Sequence, residues 1–169
     1  MKQKENDITI RPAGPEDVDT LHRAILGLAA HLDETHLVTS TPDDLLSHGF
    51  GANPSFEGLI AEIDGVFAGM CLTFRSFSTW RGRVGVYVQD LFVEDVFRGR
   101  KVGEALLKAA ARRGRAEGAD YLRLSVNTDN VAAQGFYERL GIRHSNDEQI
   151  HLIRGEAFLA FTADGEDQT

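Results

Sequence analysis

Between Val88 and Gly103 the sequence reads VQDLFVEDVFRGRKVG: an apolar run fit for a strand, a short acidic loop, then a basic, glycine-bearing turn entering a helical pattern. Those are the parts of an anion site. The first turn of a helix leaves backbone N–H groups unpaired and carries partial positive charge, so a diphosphate can be held there largely by main chain. Gly99 and Gly103 permit close backbone approach, and Arg98, Arg100 and Lys101 add cations in a chain whose formal net charge is -8. The competing reading, an ordinary basic helix start, places cations where the helix dipole disfavours them.

The elements that must position this turn follow from periodicity and punctuation. Ile8 to Arg11 alternates like a short strand, and Pro12 to Pro15 breaks it. Val18, Leu21, Ile25, Leu28 and Leu32 then share one helical face. Thr41, Pro42 and Asp44 supply a helix cap, a first-turn proline and a carboxylate before Leu45 and Leu46, with Gly49 as the stop. Leu59–Ile63 and Val66–Phe74 are strand-like runs joined by Asp64-Gly65, a two-residue hairpin signal, and Val84–Val93 extends the antiparallel section. The helix opened by Arg98–Gly103 reaches about Glu117, with Val102, Leu106 and Ala109 or Ala110 inward and Gly118 closing it.

Tyr121–Val126 reads as another strand, Asn130–Leu140 as a helix stopped by Gly141, and His151–Phe161 as a last strand or strand pair, with a disordered tail after Thr162. Hairpins followed by strand, helix, strand, helix predict an α/β (α+β) fold: a mixed, mostly antiparallel central sheet with helices on both faces. The 169 residues suit a single domain over 1–169, its core spanning 8–161.

Composition narrows the functions. A negative net charge repels polyanions, which argues against nucleic acid as a partner. The single cysteine, Cys71, sits in an apolar run, cannot pair within the chain, and is expected to be buried and inert. His22, His36, His48, His144 and His151 lack ligand spacing, so no metal is expected. No stretch of ~18 apolar residues occurs and Met1–Asp7 is polar, from which we expect no membrane association and a cytoplasmic protein.

Arg98-Gly99-Arg100-Lys101-Val102-Gly103 resembles the nucleotide-cradling motif of the GNAT superfamily of N-acetyltransferases: Arg or Gln, two residues, Gly, one residue, Gly, with Lys101 in place of the middle glycine. Asn130–Gly141, NVAAQGFYERLG, is similar to the superfamily's helix with Asn, Ala and Phe-Tyr before a glycine. From Ile8 to Phe161 the chain looks like the diamine (spermidine/spermine and thialysine) acetyltransferases. This rests on Ile10-Arg11-Pro12, Asp44-Leu45-Leu46, Gly49-Phe50-Gly51, Trp80 with Gly82, and Tyr87 with Asp90 and Val93.

The resemblance implies acetyl-CoA as cosubstrate and a primary amine of a small molecule as acceptor. It assigns to acetyl-CoA the main chain at Leu91, Phe92 and Val93, the turn Arg98, Gly99, Arg100, Lys101, Val102, Gly103 and Glu104, and Asn130, Ala133 and Phe136. Tyr137, with an unperturbed pKa of ~10, is suited to protonating the departing sulfur. For Phe136 and Tyr137 the alternative is plain core packing. A lysine-like amine has a pKa near 10.4, so the neutral nucleophile costs about 4.6 kcal/mol at pH 7 and a proton acceptor is needed.

In the diamine enzymes a Glu-Asp pair precedes the cofactor turn; here it is Gln89-Asp90, and Gln89 cannot be a base. Asp90, His31, Asp33, Glu34 or a water remain as proton routes. Those enzymes' Tyr-Glu pair at the end of the first helix aligns with His31-Leu32. Two missing acids favour an acceptor with fewer positive charges than spermine. His31, Trp80, Gln89 and Asp90 are the acceptor-site candidates; Trp80 could stack on a cationic amine or simply anchor its loop. The resemblance also implies a homodimer with the last strands near the partner. A peptide or protein amine as acceptor, an acyl-CoA sensor, and an ATP-binding regulator stand as rival functions.

Overall fold

The computed structural model describes residues 7–163. By its internal packing the chain divides into two compact units, residues up to Asn127 and residues from Thr128 on. The first is built on a five-stranded sheet in the order β1-β2-β3-β4-β5. β1 (Ile8–Pro12), β2 (Glu57–Ile63), β3 (Val66–Ser78) and β4 (Arg83–Val93) are antiparallel neighbours, and β5 (Ala119–Leu124) joins β4 in parallel. Asp64 (φ 51°) and Gly65 (φ 75°) make the left-handed two-residue turn that suits a tight hairpin. A parallel neighbour cannot be reached by a turn, and the crossover is α3 (Val102–Ala116).

Helices cover both faces of this sheet. Leu21 and Ala24 of α1 (Val18–His31) pack with Leu45 of α2 (Pro42–Phe50) onto Ile60, Met70, Leu72 and Phe92. Successive strand residues point to opposite faces, so Gly69 and Cys71 turn the other way, and Leu106 of α3 lies against Gly69. Val102, Leu106, Leu107 and Ala110 of α3 are buried, the stripe expected from the periodicity with Leu107 added. Cys71 is fully buried there, and burial pushes its thiol up to about 12, with the Asp90 charge adding to the effect.

Two local devices fix the entry to the fold. Thr41 Oγ1 accepts the Asp44 N–H (3.2 Å) while Asp44 Oδ2 accepts the Thr41 N–H (2.8 Å), a reciprocal cap that starts α2. Asp17, a buried carboxylate, takes both Arg11 guanidinium nitrogens (2.7 and 2.9 Å) and the Gly14 N–H (2.8 Å), and Arg11 also reaches Glu62 on β2 (3.0 Å). The Arg11 hydrogen bonds outweigh burial and hold the Asp17 carboxyl below its ordinary value.

The second unit contains α4 (Val131–Arg139) and α5 (Glu156–Ala163). Here one expectation is corrected. His151–Phe161 is not a strand or strand pair: residues 151–154 have no regular structure, Gly155 takes φ 62°, and a helix follows. Beyond Ile153 the sequence EAFLAF is rich in helix formers and free of β-branched residues, and its first-turn glutamate suits a helix start. Thr162 therefore belongs to α5, and the tail beyond Ala163 lies outside the described residues. Smaller differences are that α2 runs past Gly49 to Phe50 and that β3 extends beyond Phe74 to Ser78.

Candidate functional site

The register between β3 and β4 slips once: Leu72 faces Asp90, whereas Thr73 faces Val88. Gln89 is the extra residue of a β-bulge, exposed and without a partner on β3. The slip puts Asp90 on the same face as Leu72 and Phe92. On its other edge β4 pairs with β5 only over Val84–Val88. From Gln89 to Val93 that edge has no strand partner among the described residues, which leaves main-chain groups open to an extended ligand. Leu91 and Val93 sit opposite Cys71 and Gly69. The Phe92 side chain is buried in the α1 core, so only its main chain is available to a ligand.

Asp90 is half-buried, and burial raises its carboxyl above the ordinary carboxylate value. No hydrogen bond or ion pair to it occurs among the described residues. It is consequently a better proton acceptor than an exposed aspartate.

At the end of β4 a single 3-10 turn, Asp95–Phe97, leads into the basic turn. Gly99 takes φ 74° and Lys101 φ 65°. Lys101 is the N-cap of α3 and offers no side-chain cap. The ladder of α3 begins with Ala105 N–H on the Lys101 carbonyl (2.9 Å), so among the described residues the N–H groups of Lys101, Val102, Gly103 and Glu104 have no backbone acceptor. A start of this kind, flanked by Arg98, Arg100 and Lys101, fits a phosphate-bearing ligand. Val102 and Gly103 are buried and pin the turn. Arg100 lies over the Phe97 ring at 5.2 Å. Glu104 pairs with Lys108 (2.6 Å), whose hydrogen bond holds its carboxyl below the usual value.

His31, the last residue of α1, is brought to this turn: Arg98 Nη1 lies 2.6 Å from His31 Nε2. Arg98 also donates from Nε to the Val93 carbonyl (3.3 Å) and pairs with Asp95 (2.9 Å). Nothing in the local sequence signalled the His31–Arg98 contact. The bulge did leave a trace, because two adjacent polar residues, Gln89 and Asp90, interrupt an otherwise apolar strand. Trp80 is not brought to Asp90 within the chain. It is 99% exposed in the β3–β4 connection, and Arg83 to Asp90 spans about 23 Å of strand.

In the second unit Asn130 caps α4, its side-chain oxygen accepting the Ala133 N–H at 3.0 Å. Those two groups are thus committed to each other, and the Asn130 amide N–H2 is what remains for a ligand. Phe136 and Tyr137, both half-buried, have ring centroids 5.2 Å apart, and Gly141 (φ 81°) follows the end of the helix. Among the described residues no group of His, Cys, Asp and Glu gathers to hold a metal ion, and no helix is long and apolar enough to cross a membrane.

Comparison with known proteins gives concordant results. The acetyltransferase (GNAT) family matches residues 25–142. Thialysine N-epsilon-acetyltransferase of Mus musculus is 32% identical over 165 residues, covering 93% of this chain and 92% of that protein. L-ornithine N5-acetyltransferase of Arabidopsis thaliana is 24% identical, covering 89% and 86%. Among solved structures, aminoglycoside N-acetyltransferase AAC(6')-Iy in complex with CoA superposes with a TM-score of 0.71 at 19% identity, covering 92% of this chain and 99% of that one.

Proposed function

The chain belongs to the acetyltransferase (GNAT) family, and from that premise we propose that it transfers the acetyl group of acetyl-CoA to a primary amine of a small molecule, a lysine-like amine or a diamine. The observation that carries this reading is the α3 start, whose N–H groups at Lys101–Glu104 have no backbone acceptor among the described residues, set after the strand edge that bears Asp90. Acetyl-CoA supplies an acetyl group activated as a thioester. The main chain of residues 101–104 with Arg98, Arg100 and Lys101 would hold its diphosphate; Leu91–Val93 main chain, Asn130, Ala133 and Phe136 would hold the arm.

The remaining work falls to side chains. Asp90, its carboxyl raised by burial, takes the ammonium proton, directly or through water, and so exposes the nitrogen lone pair. Gln89, exposed on the bulge, accepts a hydrogen bond from the same ammonium and orients it. As the N–C bond forms and the C–S bond breaks, Tyr137 would give its proton to the sulfur; the second proton of the attacking nitrogen then returns through water to the tyrosinate, and Asp90 releases its own to solvent. With Gln89 and Leu32 where the diamine enzymes carry acids, an acceptor with a single distal ammonium is favoured over a polyamine. The thialysine and ornithine acetyltransferases among its relatives support the same class. A homodimer and a cytoplasmic location belong to this proposal as extensions of the family reading.

The test is a thiol-release screen over diamines, amino acids with side-chain amines, aminophosphonates and peptides, repeated with Tyr137→Phe. A large loss of turnover with little change in acetyl-CoA affinity is expected of the variant. Binding of acetyl-CoA with no thiol released by any amine would replace the enzyme with a sensor.

A further inference from the structure

We propose that His31 is a positioning residue for the cofactor turn, acting through Arg98, rather than a ligand of the acceptor amine; this rests on the reading of residues 98–104 as the acetyl-CoA site. Guanidinium nitrogens only donate. With Arg98 Nη1 at 2.6 Å, His31 Nε2 is the acceptor of this contact, a role that the tautomer carrying its proton on Nδ1 provides. Nδ1, 3.5 Å from Arg98 Nη2, then sets donor against donor and is no bond. The ring therefore has one defined role, to hold this guanidinium.

Arg98 joins three parts of the fold on one side chain: the last residue of α1 through His31, the end of β4 through the Val93 carbonyl, and the loop before α3 through Asp95. Of its five N–H groups these contacts use three, leaving two for a phosphate. Arginine is long and rich in rotamers, and its side chain here is 41% exposed. Unrestrained, it would lose that freedom when it closed on a ligand; restrained by His31, it has lost it on folding, which is the basis of preorganisation. The direct neighbours 32 and 33 cannot substitute: Leu32 is apolar and Asp33, at φ 56°, has already left the helix.

The experiment titrates CoA calorimetrically into the full chain as wild type, His31→Leu and His31→Gln, alone and with Arg98→Met, and measures kcat and both KM values for each. His31→Leu is expected to weaken CoA binding about fivefold and to raise the acetyl-CoA KM in proportion, with kcat and the acceptor KM unmoved. His31→Gln, whose side-chain carbonyl accepts the same N–H, should recover affinity to within about twofold of wild type. On the Arg98→Met background His31→Leu should have no further effect. A raised acceptor KM with unchanged CoA affinity overturns the proposal, as does tighter CoA binding in His31→Leu, which would make the histidine a competitor for the guanidinium. If wild type itself fails to bind CoA, the underlying reading falls with it; if wild type binds and His31→Leu binds equally, only the role of His31 falls.

Discussion

Gly27 of α1 sits so close to the Phe92 ring of β4 that a Cβ at position 27 would meet the ring at 2.9 Å. Phe92 lies two residues beyond Asp90 on the same face of the bulged strand, so the glycine sets how near the helix comes to the strand that carries the candidate base. Ala is favoured over Gly in a helix interior by roughly 1 kcal/mol, while overpacking a filled core costs about 1–3 kcal/mol. For Gly27→Ala the second effect should win, because the ring is buried and has nowhere to turn. Thermal melting should show a net loss of about 1 kcal/mol, with a lower kcat as the strand end shifts.

Asp90→Asn should separate activity from stability. Without the carboxylate kcat is expected to fall about a hundredfold, with acetyl-CoA affinity unchanged by calorimetry. Because the folded-state pKa is raised, the protonated acid is favoured by folding: its contribution is present below the unfolded value and is lost as pH rises through the folded one. At neutral pH the ionised group therefore costs stability, and the neutral amide should raise the melting temperature. In wild type the acid limb of the pH–rate profile should lie above the ordinary carboxylate range. An equally stable or less stable Asp90→Asn protein would contradict this account.

Lys101 occupies left-handed backbone, where a Cβ costs about 1–2 kcal/mol relative to glycine. Lys101→Gly should thus add about 1 kcal/mol of stability, read as a higher urea midpoint at unchanged slope. The same change removes a cation beside the helix start, and CoA should bind about threefold more weakly at low salt. Titrations in high salt should bring the two proteins together, since screening removes the term that the lysine supplies.

Asp17→Asn breaks a carboxylate held by Arg11 at 2.7 and 2.9 Å in a buried position. A loss of about 2 kcal/mol at neutral pH is expected from denaturant unfolding. The Asp17 pKa is depressed in the folded state, chiefly by the Arg11 hydrogen bond, so its contribution is present above the unfolded value of about 3.9 and is lost as pH falls through the folded one. Wild type and variant should accordingly converge in acid. A gap that persists there would assign the loss to packing.

The fold was legible wherever local signals agreed. The Thr41-Pro42-Asp44 cap, the Asp64-Gly65 turn and the apolar stripe of α3 each appear in the structure as their chemistry demands. α5 was misread because the short apolar run from His151 to Phe161 has no period that separates strand from helix, and helix propensity decided it. Within the site, the turn at residues 98–103 was visible, yet the left-handed backbone at Lys101 shows that the loop geometry does not depend on the glycine found there in the motif. The His31–Arg98 contact joins residues 67 apart, and no window of sequence carries such a pairing. Trp80 is an acceptor-site candidate because its ring could stack on a cationic amine, and the length of the β3–β4 hairpin removes this chain's own Trp80 from Asp90.

Cys71, fully buried with its thiol pushed up to about 12, gives the molecule a built-in reporter. Only the thiolate attacks a disulfide-exchange reagent, so the native chain should stay silent toward such reagents and yield one equivalent only when the centre of the sheet opens. The labelling rate then reads the population of opened molecules directly, without denaturant. For the same reason a dye that detects released CoA should see no background from intact protein, and a slow drift in its baseline would measure opening rather than turnover.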